Sequence, residues 1–426
     1  MDGTAGNWAG TRAAGFGAQH RWKVLGVGVG ANVSFFAAFS GIPATAVLMR
    51  ADYQLSNAQL GLALGLLGLG IAVSELPWGL LTDRLGDRRV LLIGLSATAL
   101  ALGLMALIGA PSRAPSGPHA PALWLLAGGL FMVGFLGGSI NGASGRAVMG
   151  WFREGERGFA MSVRQTAVPA GGGLGALVLP ALVHAQGFAV AYGLLAALCA
   201  LSAGFAWIWL HEPPVQAGAA ASAPTASSGN PLRDPQVWRL AGAIGLLCAP
   251  QCAVVAFASV FLSDFSHAAL ATASFALVLV QTGAAISRIA SGRWTDRHKN
   301  RRAYLRACSA ATAAIFAALA ALVLAAQAGW LAPSNPTLLL LLVAGGICAS
   351  AWHGVAFTEI ATLAGASRAG TALGLGNSFA FIALFLVSVI IPALLPLGGW
   401  PLVWSAMGLC ALLGRLAFPY PTMQRG

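Results

Sequence analysis

The sequence predicts an all-α membrane protein of twelve transmembrane helices, arranged as two pseudo-symmetric six-helix halves. Three observations carry that expectation: a charge-poor composition, twelve apolar windows and an internal repeat at mid-length. Of 426 residues, 58% are hydrophobic and 8% charged, and mean hydropathy is +0.77, whereas soluble domains carry roughly 25% charged residues. This excludes soluble enzymes and soluble nucleic-acid binders. Twelve spans of about 20 residues would occupy roughly 240 positions, leaving short loops and one longer linker.

In chain order the apolar windows lie near 24–48, 58–81, 90–110, 122–146, 158–184 and 188–210, then near 238–262, 270–293, 304–326, 337–363, 370–395 and 401–418. Backbone groups in hydrocarbon must be satisfied internally, and windows of this length rich in Ala, Leu and Gly favour helices over barrel strands. The segment before Arg21 is polar. The apolar run that follows it, about 25 residues long, exceeds a signal-peptide core and is expected to stay in the protein. Glycines such as Gly61, Gly65, Gly68 and Gly70 read as positions of close helix packing. Trp124, Trp330, Trp400 and Trp404, near span ends, read as interfacial belt residues.

Between the two sets of spans, residues 211–236 contain a low-complexity Ala/Ser/Gly/Pro stretch with too few apolar anchors to pack. The expected organisation is a first half over 1–210, a flexible linker over 211–236 and a second half over 237–426. With the N-terminus inside, all 24 lysines and arginines fall on the cytoplasmic side except Arg50 and Arg113, outside, and Arg164 and Arg288, within spans. Both termini and the linker are therefore expected in the cytoplasm. Topology accounts for the net charge of +12, and no nucleic-acid partner is expected. The six cysteines lie in apolar stretches without metal-ligand spacing, so neither disulfide, metal nor cofactor is expected. Arginine outnumbers lysine 22 to 2, which points to a GC-rich bacterial source and its inner membrane.

The loop after the second window runs from Gly79 through Asp83, Arg84, Gly86, Arg88 and Arg89. The loop after the eighth runs from Gly292 through Asp296, Arg297, Lys299, Arg301 and Arg302, at an offset of 213 residues. A second correspondence aligns Arg157, Gly158 and Gln165 with Ala369, Gly370 and Asn377, at an offset of 212. Two matches at nearly one offset indicate a duplicated half.

The pattern Gly79-x-x-x-Asp83-Arg84-x-Gly86-x-Arg88-Arg89 closely resembles the cytoplasmic loop motif of the major facilitator superfamily, and the resemblance covers the whole chain. It implies the major facilitator fold, two halves that rock about a central site, and alternating-access transport. It also implies that Asp83, Arg84, Arg88 and Arg89 bridge helix ends and help to hold one access state. Charges at wet helix ends, made and broken at low cost, suit that switch; the alternative is that they only set topology. The second copy departs from the pattern at Lys299, where the motif has glycine.

Ionisable groups deep in a span cost about 2.5–3.5 kcal/mol on insertion scales and ask for a partner or a job. Glu75 lies eight residues before Asp83, hence about 12 Å inward. Its repeat partner is Arg288, and Arg164 lies about 10 Å into the fifth span. Arg288 and Gly292 have a spacing similar to that in the eighth span of monocarboxylate and oxalate/formate-type carriers, where the resemblance implies an arginine that meets a substrate carboxylate. Those monocarboxylate carriers have an aspartate where this chain has Ala284. A guanidinium is permanently charged and bidentate toward carboxylates, so Arg288 and Arg164 are read as anion-binding residues; the alternative is a structural lock with Glu75 or with backbone carbonyls. Gln165, Gln251 and Asn377 are read as further substrate contacts, while Asn32, Ser34 and Gln281 fit helix pairing equally well.

Glu75, a carboxylate in low dielectric near arginines, is the first candidate for proton coupling, and His353 beside Trp352 is the second. A permanent ion pair at Glu75 and a structural hydrogen bond at His353 are the alternatives. Arg146 and Glu359, offset by 213, are expected to pair with the loop motifs as a gate: Arg146 with Asp83, and Glu359 with Arg297 or Arg301. The expected activity is proton-coupled carriage of a small organic anion in the lipid bilayer by a functional monomer, with no enzymatic chemistry. Proton-driven export of hydrophobic or cationic compounds is the rival reading, and a receptor with a carrier fold is a more distant one.

Overall fold

The computed structural model describes residues 19–111, 121–211, 230–268, 270–330, 332, 336–365 and 367–419. Most of the N-terminal segment, Arg113 and the bulk of the expected linker lie outside them. The first half contains α1 (His20–Ala44), the short α2 (Ala46–Asp52), α3 (Asn57–Leu85), α4 (Asp87–Leu104), α5 (Leu123–Gly137), α6 (Ser139–Trp151), α7 (Arg157–Gln165), α8 (Ala167–Gln186) and α9 (Phe188–Trp209). The second contains α10 (Pro235–Asp264), α11 (Leu270–His298), α12 (Arg301–Gln327), α13 (Pro336–Cys348), α14 (His353–Ala364) and α15 (Ala369–Ala417).

Local sequence sets several ends. Ser56 and Gln59 form a reciprocal capping box at the start of α3, and Asp234 accepts from the Gln236 N–H ahead of Pro235 at the start of α10. Gly86, at φ 88°, ends α3 in a conformation that side chains disfavour. Among the described residues eleven helical stretches are long and apolar enough to cross a membrane. The last of these, α15, is two helices merged across Gly399 at φ 62°, which yields the twelve expected spans.

Three of those spans are broken near the middle. The fourth divides into α5 and α6 at Gly138, the fifth into α7 and α8 at Thr166, and the tenth into α13 and α14 over residues 349–352. In the fifth span the segment nearer the arginine-rich loops, α7, packs chiefly on the second half; in the fourth, α6 packs mainly on its own half and also touches α15, whereas α5 and α8 pack within the first half. The main inter-half contacts are α3 against α15 and α7 against α11 and α14. The molecule is therefore closed at its arginine-rich end.

The packing corrects two expectations. Trp124 and Trp330 are 75% and 82% exposed, but Trp400 and Trp404 are buried. Trp404 stacks on Phe316 and meets Phe261 edge-on, because the last helix turns its aromatic face into the core of the second half. Among the four glycines, only Gly70 makes a close approach, where an added Cβ would meet the Phe131 and Phe135 backbone; Gly61, Gly65 and Gly68 face open space.

Candidate functional site

Asp83 and Asp296 occupy equivalent ends of α3 and α11, and each carboxylate crosses to the first turn of a helix in the other half. Asp83 accepts from the backbone N–H groups of Gly370 at 2.8 Å and Thr371 at 2.7 Å, and from the Thr371 hydroxyl at 2.5 Å. Asp296 accepts from the N–H groups of Gly158 at 3.1 Å and Phe159 at 2.8 Å. Orphan amides at two helix N-termini are thus satisfied by anions, the charge that the helix dipole favours there. The backbones meet without intervening side chains: a Cβ on Gly79 would strike the Gly370 carbonyl, and one on Gly292 the Gly158 carbonyl. The two repeated sequence segments are two sides of one contact, in which the carboxylate of each copy caps the helix of the other.

Around this shared core the cations differ. Arg146 lies 3.5 Å from Asp83 and 3.4 Å from Asp87. In the second copy Arg301 lies 3.1 Å from Asp296 and donates to the Glu154 carbonyl at 2.9 Å, across the halves. Glu359 meets Arg302 at 2.6 Å, not Arg297 or Arg301. The reason is that α12 starts at Arg301 and packs on α14, which turns Arg302 toward Glu359, while Arg297 remains exposed on α11. Arg88 donates to the Trp207 carbonyl at 3.0 Å and covers its ring at 5.0 Å, tying α4 to α9 within one half. Arg84 and Arg89 are exposed.

About two turns deeper lies a second layer with the same crossed symmetry. Glu75 is fully buried and accepts from Asn141 Nδ2 at 2.7 Å and from Asn377 Nδ2 at 3.1 Å. Arg288, 3% exposed, donates from Nη1 to the Gln165 carbonyl at 2.9 Å and from Nε to the Ser350 carbonyl at 2.9 Å. The Glu75–Asn377 and Arg288–Gln165 bonds both cross between halves. Glu75 and Arg288 are repeat equivalents, as are Gln165 and Asn377, and each deep ionisable group bonds the equivalent residue of the opposite copy, Glu75 the Asn377 side chain and Arg288 the Gln165 backbone carbonyl.

Arg164 bonds within its own half. It donates to Ser144 Oγ at 2.9 Å, to the Asn141 carbonyl at 2.6 Å, and to Asn141 Oδ1 and Asn32 Oδ1 at 3.4 Å. Asn141 stands between Glu75 and Arg164, and among the described residues Glu75 makes no ion pair. Arg288 owes its place to the break in the tenth span, which frees carbonyls that a continuous helix would consume. Ser350 receives Arg288 and also His353 Nδ1 at 3.2 Å, and Ala351 receives Ser291 Oγ at 2.8 Å. His353 stacks on Trp352 at 3.9 Å beside this site. Gln251, half-buried on α10, has an enclosed Oε1 without a hydrogen-bond partner among the described residues, open to a donor from a ligand.

Known proteins agree with this architecture. The model of the Major Facilitator Superfamily matches residues 27–332. An uncharacterized MFS-type transporter of Mycobacterium tuberculosis strain H37Rv is 30% identical over 397 residues, covering 93% of this chain and 84% of its own length. The chain belongs to the major facilitator superfamily. It is a multi-pass membrane protein and a secondary transporter, not an enzyme. The fold is similar to that of the proton:xylose symporter XylE bound to 6-bromo-6-deoxy-D-glucose, at TM-score 0.76 and 15% identity, covering 94% of this chain and 95% of that one. It is also similar to FucP in the outward conformation, at TM-score 0.70 and 14% identity over 92% and 97% of the two chains. The human organic anion transporter MFSD10 gives TM-score 0.69 and 16% identity over 94% and 99%.

Within this facilitator, sequence reasoning missed Asn141, Ser144, Thr371, Asp87 and Arg302. For Asn141 and Ser144 a signal is present: polar residues in the fourth window, five and two residues before Arg146. For Thr371 it is the second correspondence itself, since Gly370 and Thr371 follow Ala369 as Gly158 and Phe159 follow Arg157.

Proposed function

We propose that this facilitator carries a small organic anion, a carboxylate, together with a proton, with Arg288 as the anion anchor and Glu75 as the proton site. The observation that carries the reading is the guanidinium of Arg288: it is buried between the halves, Nε and Nη1 are held by carbonyls, and among the described residues Nη2 has no partner, which leaves it for a planar anion. Among the described residues this buried cation also has no carboxylate partner, a costly state that a substrate carboxylate relieves. Glu75 supports the proton role, because it is bonded by two amides and no cation, so adding a proton breaks no ion pair. His353, on the same carbonyl as Arg288, is the second proton candidate.

In this reading the closed, arginine-rich end and both termini face the cytoplasm of a bacterium, the protein lies in the inner membrane, and one chain suffices. Residues 1–210 and 237–426 rock as the two halves, with 211–236 as the tether. The test is a thermal-shift screen of purified protein against small carboxylates, inorganic anions and lipophilic cations, because a ligand of the native state raises the melting temperature by mass action. A carboxylate shift that disappears in Arg288→Ala is the expected result. A lipophilic-cation shift that disappears in Glu75→Gln overturns it in favour of cation export, with both arginines as scaffolding on their carbonyls.

A further inference from the structure

We infer that the inner layer is a two-key lock: a proton on Glu75 releases Asn377, a substrate anion on Arg288 releases the Gln165 carbonyl, and the arginine-rich end opens only when both bonds are relieved. The inference rests on the reading of Arg288 and Glu75 given above and goes beyond it by assigning coupling, one proton and one anion per cycle, to two particular hydrogen bonds.

The geometry determines where the proton lands. Arg164 Nη2 donates to Asn141 Oδ1, which fixes that amide with its Nδ2 toward Glu75 Oε1. An amide held in this way cannot turn to accept, so Oε1 remains an acceptor. The proton goes to Oε2, the oxygen that faces Asn377 Nδ2. The new O–H then opposes an N–H, and the inter-half bond is lost. If the Asn377 amide turns to accept it, a charge-assisted bond is replaced by a neutral one of about half the strength. Asn141 is thus a positioning residue that directs the proton to the side of Glu75 that binds the other half. The charged group facing Glu75 is Arg164 of α7, through Asn141 of α6, and α15 contributes only the Asn377 amide.

The second key works by competition. Arg288 Nη1 holds the Gln165 carbonyl at the end of α7, and a carboxylate taking the Nη1–Nη2 edge of the guanidinium displaces a neutral acceptor with a charged one. The outer caps at Asp83 and Asp296 contain no group that substrate reaches, so they set the baseline while the inner pair supplies the response. Either bond alone keeps the whole end shut, because the halves move as units: Glu75–Asn377 ties α3 to α15, and Arg288–Gln165 ties α11 to α7.

The experiment measures the distance between spin labels at Leu85→Cys and Ser367→Cys, exposed positions flanking the α3–α15 contact. It uses full-length protein in lipid nanodiscs with the native cysteines replaced by alanine, at pH 8 and pH 5.5, with and without a mixture of lactate and succinate as probe anions. The expected result is a widened distance only at pH 5.5 with the anions. Asn377→Ala, or Asn377→Ser should the alanine fold poorly, is expected to widen with anions already at pH 8, and Arg288→Gln at pH 5.5 without any anion. In each variant the open population under the single remaining key should rise by about tenfold, equivalent to about 1.4 kcal/mol. Widening of the unsubstituted protein under one key overturns the lock, as does an Arg288→Gln variant that stays shut in acid. If neither carboxylate acts on the unsubstituted protein while Arg288→Gln opens in acid, the lock stands and the carboxylate reading fails.

Discussion

The caps at Asp83 and at Asp296 are the same device built with different charges. In both, a carboxylate at the end of one half satisfies two N–H groups at the start of a helix in the other. The cations around them share no repeat position: Arg146 of α6 serves Asp83, whereas Arg301 of α12 serves Asp296 and Arg302 turns away to Glu359. Duplication preserved the carboxylate, the glycines and the amides, and let the ion pairs drift. The difference teaches that the anion-to-amide contact closes the end, and that the salt bridges trim it.

The largest effects should therefore come from the aspartates. A hydrogen bond to a charged group contributes about 1.5–3 kcal/mol, and Asp83 accepts three across the halves against two for Asp296. Asp83→Ala should destabilise the closed end by about 3 kcal/mol or more, and Asp296→Ala by somewhat less, read as the rate at which a cysteine at Ser162 is labelled from the arginine-rich side. A smaller loss at Asp83 than at Asp296 reverses the order and defeats the count of amide bonds. Exchanging charges as Asp83→Arg with Arg146→Glu should recover nothing, because the new guanidinium would face amide donors. Recovery of transport in that double variant would mean the ion pair, not the cap, is what matters.

Next come the glycines. A Cβ on Gly370 would lie 2.7 Å from Asp83 Oδ1 and 2.8 Å from the Gly79 carbonyl, and one on Gly158 would lie 2.6 Å from Asp296 Oδ1. Gly370→Ala and Gly158→Ala should each cost the closed state about 1–3 kcal/mol by overpacking, with folding in detergent unchanged by gel filtration. Equal labelling rates for these variants and the unsubstituted protein would show that the halves do not meet this closely. Removing the ion pairs is a smaller step: Arg146 and Arg302 have side chains 21% and 23% exposed, where exposed pairs contribute about 0.2–1 kcal/mol. Arg146→Ala and Arg302→Ala should accelerate labelling by no more than about fivefold.

Much of this architecture is legible in the amino-acid sequence. Composition and window length set the twelve spans, and the repeated Gly-to-Arg loops place Asp83 and Asp296 in equivalent roles. What the sequence hides is the crossing. The repeat shows that Asp83 resembles Asp296 and that Gly370 resembles Gly158, but an internal match is silent on whether each residue meets its own copy or the other. The same ambiguity hides that the Gln165 main-chain carbonyl bonds Arg288 and the Asn377 amide bonds Glu75. The tenth-span break is equally hidden, because Ala349, Ser350 and Ala351 are compatible with a continuous helix, and it is their freed carbonyls that hold Arg288, Ser291 and His353. Arg302 escapes for a simpler reason: a helix that starts at Arg301 rather than a few residues later rotates which arginine faces α14.

The smallest expected effect is also the sharpest test of the division between cap and charge. Arg84, Arg89 and Arg297 belong to the two repeated loops, and in this structure they are exposed. Surface substitutions away from packed features usually change stability by no more than about 0.5 kcal/mol, so the triple replacement by glutamine should leave the labelling rate at Ser162 within about twofold. These arginines do contribute to the charge bias that orients a membrane protein, so their loss should register instead as a larger mis-inserted fraction, measured with a topology reporter fused after Gly426. If the triple variant opens the arginine-rich end while inserting normally, the loop arginines act on the closed state directly, and the line between a shared cap and drifting charges has to be redrawn to include them.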